Sequence, residues 1–322
     1  MKLRRTLTAS LASMMMAISA LAANLPTIKL GTLATGTVNW ELTTIKANKL
    51  DEKHGFNLEV LGLANNDATK IALQSGDTNL IVSDWIWAAK ERARGNALVF
   101  LPYSKAVGGV YVKADSDIQT LADLKGKKIG IAGGPVDKSW VVIQAYAQQL
   151  GFNLKAESEQ VFGAPPLIMQ SGMSGDVDAA MNFWHFNAKM RAAGMREVIS
   201  VETAANALGL SSDTPLLGYI AKQAYIDANA DLMRAFAAAA YEAKALLASD
   251  DSAWESIRDI MNVKNDKQFE ALKAGYRAGI PSTQQVDHEA AAQMFAVMAK
   301  LGGQKLVGDV TDLPDGLFVA FE

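Results

Sequence analysis

The segment Lys128–Gly151, KIGIAGGPVDKSWVVIQAYAQQLG, reads as a strand over Lys128–Ala132, a turn through Gly133-Gly134-Pro135, and a helix over Lys138–Leu150 that Gly151 ends. Two glycines after a strand permit positive φ and close backbone approach. The helix that follows leaves its first N–H groups unpaired, with the positive end of its dipole at the carboxyl end of the strand. Such an end binds anions, and here Lys138 adds a charge and Ser139 a hydroxyl. Asp137 competes for the same amides as an ordinary N-cap, although an N-cap and a ligand can use different ones.

The same strand-then-helix order extends on both sides. Thr27–Thr32, Leu58–Leu61, Leu80–Val82, Leu98–Leu101 and Gly109–Val112 read as strands, with helices over Asn39–Lys53, Ala68–Gln74 and Trp85–Arg94 between them. Strands alternating with helices of this length predict βαβ units and mostly parallel sheets covered on both faces, an α/β fold. From about Ala224 the chain reads as nearly all helical, with Ala-rich runs such as Ala235–Leu247.

The N-terminus has a different character. Lys2, Arg4 and Arg5 form a basic start, Leu7–Leu21 is apolar, and Ala20-Leu21-Ala22 is a small-x-small cleavage site. This is the order of a secretory signal peptide, cleaved near Ala22, and the apolar stretch is too short for the roughly 20 residues of a membrane span. The expected location is the periplasm. The 322-residue chain has no cysteine, which excludes disulfides, thiolate metal sites, cysteine nucleophiles and a lipidated N-terminal cysteine. Its net charge of −3 makes it a poor nucleic-acid binder, because phosphate recognition needs a basic face.

Catalytic motifs fail on inspection. The turn at Gly133–Ser139 lacks the glycine that a phosphate loop places before its lysine, and Asp137 stands there instead. Neither G-x-G-x-x-G nor G-x-S-x-G occurs. His288-Glu289 opens like a zinc-helix motif, but Ala292 occupies the second histidine position, and the other histidines, His54 and His185, are far away in sequence. No enzyme, cofactor or metal is expected.

The tryptophans are better placed. Trp40, Trp85, Trp87, Trp140 and Trp184, five of the six, fall at or just after strand-to-helix junctions. Ligands of open α/β sheets bind outside the carboxyl ends of the strands, and small-molecule sites are apolar and aromatic with a few placed polar groups. The polar neighbours here are Thr35, Asn39, Asn66, Asp67, Ser83, Asp84, Lys138, Ser139, Asn182 and His185.

Two longer blocks carry a family resemblance. Ala72–Ser83, ALQSGDTNLIVS, and Ser116–Gly130, SDIQTLADLKGKKIG, resemble recurrent stretches of periplasmic solute-binding proteins of ABC transporters. Gly175–Ala180 and the strand Leu217–Ala221 extend the likeness over the whole chain after the leader. The branch it resembles is the nitrate/sulfonate/taurine group, which also contains binders of thiamine-pyrimidine precursors. The cysteine cluster of the eukaryotic pyrimidine-synthesising relatives has no counterpart.

The resemblance implies a type II periplasmic binding fold, with two α/β lobes closing by hinge motion over a ligand cleft. Lobe 1 would comprise residues 23–114 plus 214–322, and lobe 2 residues 115–213. The family's binding positions map onto Thr35, Asn39 and Trp40; Ser83, Asp84 and Trp85; Gly134, Lys138, Ser139 and Trp140; and Asn182, Trp184 and His185. With no arginine in these loops, a bare inorganic anion such as nitrate is less expected than a sulfonate- or taurine-like organic solute. In that picture the anionic group caps Lys138–Trp140, Trp40, Trp85 and Trp184 enclose the body, and Asp84 (or, more weakly, Asp67) pairs an amino group. The implied partners are an inner-membrane ABC permease with its ATPase, and the protein would act as a monomer. The alternatives are a pyrimidine- or amine-type solute, or an exported sensor or enzyme using His185 as its base.

Overall fold

The computed structural model describes residues 25–321, so the expected leader, residues 1–22, lies outside the described residues. The chain runs β1 (Thr27–Leu33), α1 (Val38–Ala47), β2 (Asn57–Leu63), α2 (Asn66–Ser75), β3 (Leu80–Asp84), α3 (Trp85–Ala93), β4 (Leu98–Ser104) and β5 (Gly109–Val112). It continues through β6 (Lys128–Ala132), α4 (Lys138–Gln149), β7 (Glu159–Gly163), α5 (Pro165–Ser174), β8 (Ala179–Asn182), α6 (Trp184–Ala192), β9 (Arg196–Ser200), α7 (Val201–Ala207) and β10 (Leu217–Lys222). Three long helices follow: α8 (Ala230–Ser249), α9 (Asp266–Ala278) and α10 (His288–Val307), the last interrupted at Gly303. The helix expected over Asn39–Lys53 is two pieces, because Lys49 adopts a left-handed conformation between α1 and a short turn at Leu50–Lys53. That break buries Asp51, whose carboxylate accepts from the Leu58 backbone N–H and from Lys46.

Two five-stranded sheets result, ordered β2-β1-β3-β10-β4 and β7-β6-β8-β5-β9. Each contains one strand running against its neighbours: β10 is antiparallel to β3 and β4, and β5 is antiparallel to β8 and β9. The chain therefore crosses between the sheets twice, at residues 105–108 and again at 208–216. The boundary expected after residue 114 is displaced, because β5 is already a strand of the second sheet, buried along its whole length.

Helices cover the inner strands, while β2 at the edge of the first sheet keeps Glu59–Gly62 exposed. The largest apolar core is shared by the two lobes: Ile81, Trp85 and Phe100 of the first join Ile129, Ile131 and Trp140 of the second, with Phe295 and Met298 of α10. No helix among the described residues is long and apolar enough to cross a membrane.

The first lobe also encloses a polar knot. Glu41 of α1 is fully buried, and its carboxylate accepts from Tyr219 (2.6 Å), Tyr276 (3.0 Å) and Lys244 (2.7 Å). Lys244 lies 4.9 Å from the centre of the Tyr103 ring, a cation–π contact. Burial pulls the Lys244 ammonium below its ordinary range, and Glu41 opposes that shift without cancelling it. Glu41→Ala leaves a buried ammonium unpaired, so urea unfolding should show a loss of about 3–5 kcal/mol. A second change, Lys244→Met, should restore part of that loss; a single variant as stable as the parent would refute this account.

Candidate functional site

The two crossings enter their sheets at matching places. β10 begins with Leu217 opposite Asp84, the residue from which α3 starts, and β5 begins with Gly109 opposite Asn182, just before α6. Gly108 must be glycine, because a Cβ there would lie 1.7 Å from the Asn182 carbonyl oxygen. Both crossings are thus drawn up against strand-to-helix junctions, and between them lies a cavity of about 270 Å³. Trp85 of α3 and Lys138 and Ser139 of α4 form part of its wall, with Trp184 and Arg191 of α6 and Tyr111 of β5. The crossings supply Lys105–Gly108, Ser211, Ser212, Thr214 and Leu216, and Met294 and Met298 of α10 add flexible apolar surface.

Of the thirteen residues expected at a binding site, Trp85, Lys138, Ser139 and Trp184 line this cavity. The other nine do not, and most are occupied elsewhere. Asn39 donates to the Leu33 and Ala34 carbonyls and so holds the turn after β1, while Thr35 in that turn is exposed. Asn182 donates to the Pro165 carbonyl and accepts from the Phe183 N–H, fixing the start of α6 against α5. Ser83 is paired with Gly218 within the first sheet, and the Gly134 carbonyl closes the turn to the Asp137 N–H. Trp140 is fully buried in the shared core. Trp40, also buried, meets Trp184 edge-on at 5.9 Å. His185 meets Phe186 at 4.4 Å between ring centres, the rings tilted by 45°, and is not part of the cavity wall.

Asp84 corrects the expected chemistry most sharply. Its Oδ1 accepts from the Trp87 N–H as the N-cap of α3, and its Oδ2 takes the Lys138 ammonium at 2.9 Å. Since Asp84 ends a strand of lobe 1 and Lys138 starts a helix of lobe 2, this ion pair joins the lobes. Burial pushes the Asp84 carboxyl up, but the charge and hydrogen bond of Lys138 outweigh it and hold the group below the usual carboxylate range. Burial likewise works against the Lys138 ammonium, and Asp84 more than compensates. Asp137 caps α4 by accepting from the Trp140 N–H at 3.2 Å. Its own carboxyl is pushed up by burial. Asp84 and Lys138 are thus each other's partner in this arrangement.

Sequence reading missed Tyr111, Arg191, Glu197, Thr214 and the two methionines. Arg191 was detectable in principle, because it follows Trp184 and Ala188 at helical spacing on one face of α6. Tyr111 donates to Glu197 at 2.8 Å, and burial followed by that carboxylate pushes its hydroxyl up to about 12. That pairing depends on the register of β5 with β9, for which local sequence carries no signal.

A model of the NMT1/THI5-like family matches residues 52–252. The chain belongs to that family. No curated protein matches it. Among solved structures, this NMT1/THI5-like chain is similar to the periplasmic aliphatic sulphonate binding protein SsuA from Escherichia coli, with a TM-score of 0.72 and 19% identity over 88% of this chain and 94% of that one. It is also similar to the alkanesulfonate-binding protein SsuA from Xanthomonas axonopodis pv. citri bound to MOPS, with a TM-score of 0.70 and 17% identity over 92% and 99% of the two chains. At these identities the likeness carries the two-lobed periplasmic-binding-protein fold.

Two variants probe the contacts around the cavity. A Cβ at Gly275 would meet the Trp184 ring at 2.9 Å, so Gly275→Ala should displace that ring, cost about 1–3 kcal/mol and change tryptophan fluorescence. Burial, and secondarily Lys189, depress His185 to about 4, whereas an unfolded histidine titrates near 6.5. Between those values the unfolded chain binds the extra proton, so stability falls as the pH drops from about 6.5 to 4. His185→Gln should flatten that part of a stability-against-pH curve; an unchanged slope would assign it to other groups.

Proposed function

We propose that this protein is the exported solute-binding component of an ABC importer, working as a periplasmic monomer without a cofactor. It holds a small organic solute between its lobes and presents the closed form to an inner-membrane permease with its ATPase. The observation that carries this reading is the cavity itself, walled by both lobes and by both crossings of the chain. Rotation about two crossings is the hinge motion by which such lobes open and close. Its volume is at the small end for ligand sites, and its aromatic and methionine surface suits a compact, partly apolar molecule. The reading as a binder rather than an enzyme is supported by the position of His185, the one general base nominated from sequence, off the cavity wall.

A sulfonate- or taurine-like solute is one class to test, prompted by the two SsuA proteins. A planar pyrimidine- or amine-type solute is the second, favoured by the indole surfaces of Trp85 and Trp184. Thermal unfolding of the purified protein against both classes decides between them. A bound solute at about a thousand times its dissociation constant should add roughly 4 kcal/mol, raising the midpoint by several degrees. No shift with any solute, or turnover of one, would overturn the binding role.

A further inference from the structure

We propose that Asp84 is a specificity-determining residue that keeps anions off Lys138, leaving the subsite at the starts of α3 and α4 to an uncharged hydrogen-bond acceptor. This rests on the cavity being a solute site. The Lys138 side chain, 27% exposed, already has its counter-ion in the Asp84 side chain, 10% exposed. Asp84 is not free to swing aside, since its other oxygen caps α3 through the Trp87 N–H. An incoming anion must either strip Asp84 of its partner, leaving a buried carboxylate unpaired, or share Lys138 beside a like charge; both are unfavourable. Asp137 puts a second carboxyl next to the same lysine. The other lysine on the wall, Lys105, is paired with Asp213.

Besides Arg191 of α6, the wall offers neutral donors. Trp85 lines the cavity and is fully buried, yet its indole N–H has no partner. The Thr214 hydroxyl, on the wall from the second crossing, is also buried without one. Buried donors of this kind cost free energy until an acceptor arrives, and a carbonyl, amide, sulfone or ring nitrogen supplies one without displacing Asp84. At the starts of α3 and α4 a cationic ligand finds no such opening, because Asp84 already accepts from Lys138 and the Trp87 N–H, and Asp137 from the Trp140 N–H.

The test uses inorganic sulfate as a probe of Lys138, at ionic strength matched with chloride. Sulfate should raise the unfolding midpoint of Asp84→Asn by several degrees more than that of the parent. The rise should vanish in Asp84→Asn combined with Lys138→Met. Asparagine keeps the N-cap of α3, and Asp84→Ser, which also caps, serves if the first variant does not fold. Methanesulfonate and its uncharged counterpart dimethyl sulfone give a second reading by calorimetry, with Asp84→Asn shifting the preference toward the anion by about tenfold or more. Stabilisation of the parent by sulfate as large as that of Asp84→Asn, no gain in either variant, or a preference between methanesulfonate and dimethyl sulfone that Asp84→Asn leaves unchanged would overturn the proposal. If no organic solute binds at all, the solute-binding reading fails while the sulfate measurement still decides the role of Asp84.

Discussion

The structure depends on the buried backbone of β10. Tyr219 and Ile220 lie between β3 and β4 in the first sheet, fully shielded from water, and their N–H and C=O groups must be paired on both sides. They are paired by β3 and β4, which belong to the first part of the chain, so the chain has to return to the first lobe after building the second. The same demand, made by β5 in the second sheet, draws the first crossing inward. Two lobes, two crossings and a cavity between them follow from satisfying these two strands.

What holds the lobes together is a small set of dissimilar contacts. One is the Asp84–Lys138 ion pair, a second the edge-on meeting of Trp40 with Trp184, and a third the Lys189 ammonium on the Asn262 carbonyl at 3.0 Å. The apolar core under α3, α4 and α10 adds non-directional area. A partly buried ion pair is weak evidence for stability, because the desolvation of both charges offsets their attraction, yet removing one partner is costly. Such a pair serves alignment better than strength: it fixes how the starts of α3 and α4 face each other, and therefore what the cavity offers a solute.

Much of the fold was legible from residues alone. The strand–turn–helix reading of Lys128–Gly151 corresponds to β6 and α4, and the glycine-stopped helices appear close to where periodicity put them. The failures are physical rather than statistical. Periodicity in 39–53 is continuous, but burial of Asp51 under Lys46 and the Leu58 N–H favours a break at Lys49. Asn39, Asn182 and Asp84 look like ligand contacts because short polar side chains at strand ends serve both ligands and turns. Here they serve turns and caps, since the amides and carbonyls of those junctions are otherwise unpaired.

Sequence by itself determined the α/β class, the order of strands and helices as far as Leu150, and the placing of polar and aromatic residues at the strand ends, because those depend on local periodicity, caps and turn chemistry. Only the tertiary structure decided which of these residues share a cavity. That choice depends on which strands pair across long separations, on Asp84 reaching a lysine 54 positions away, and on α10 closing over both lobes. Such contacts join residues with no local relation to one another, and their energies are set by burial and partner geometry that exist only once the two sheets are assembled.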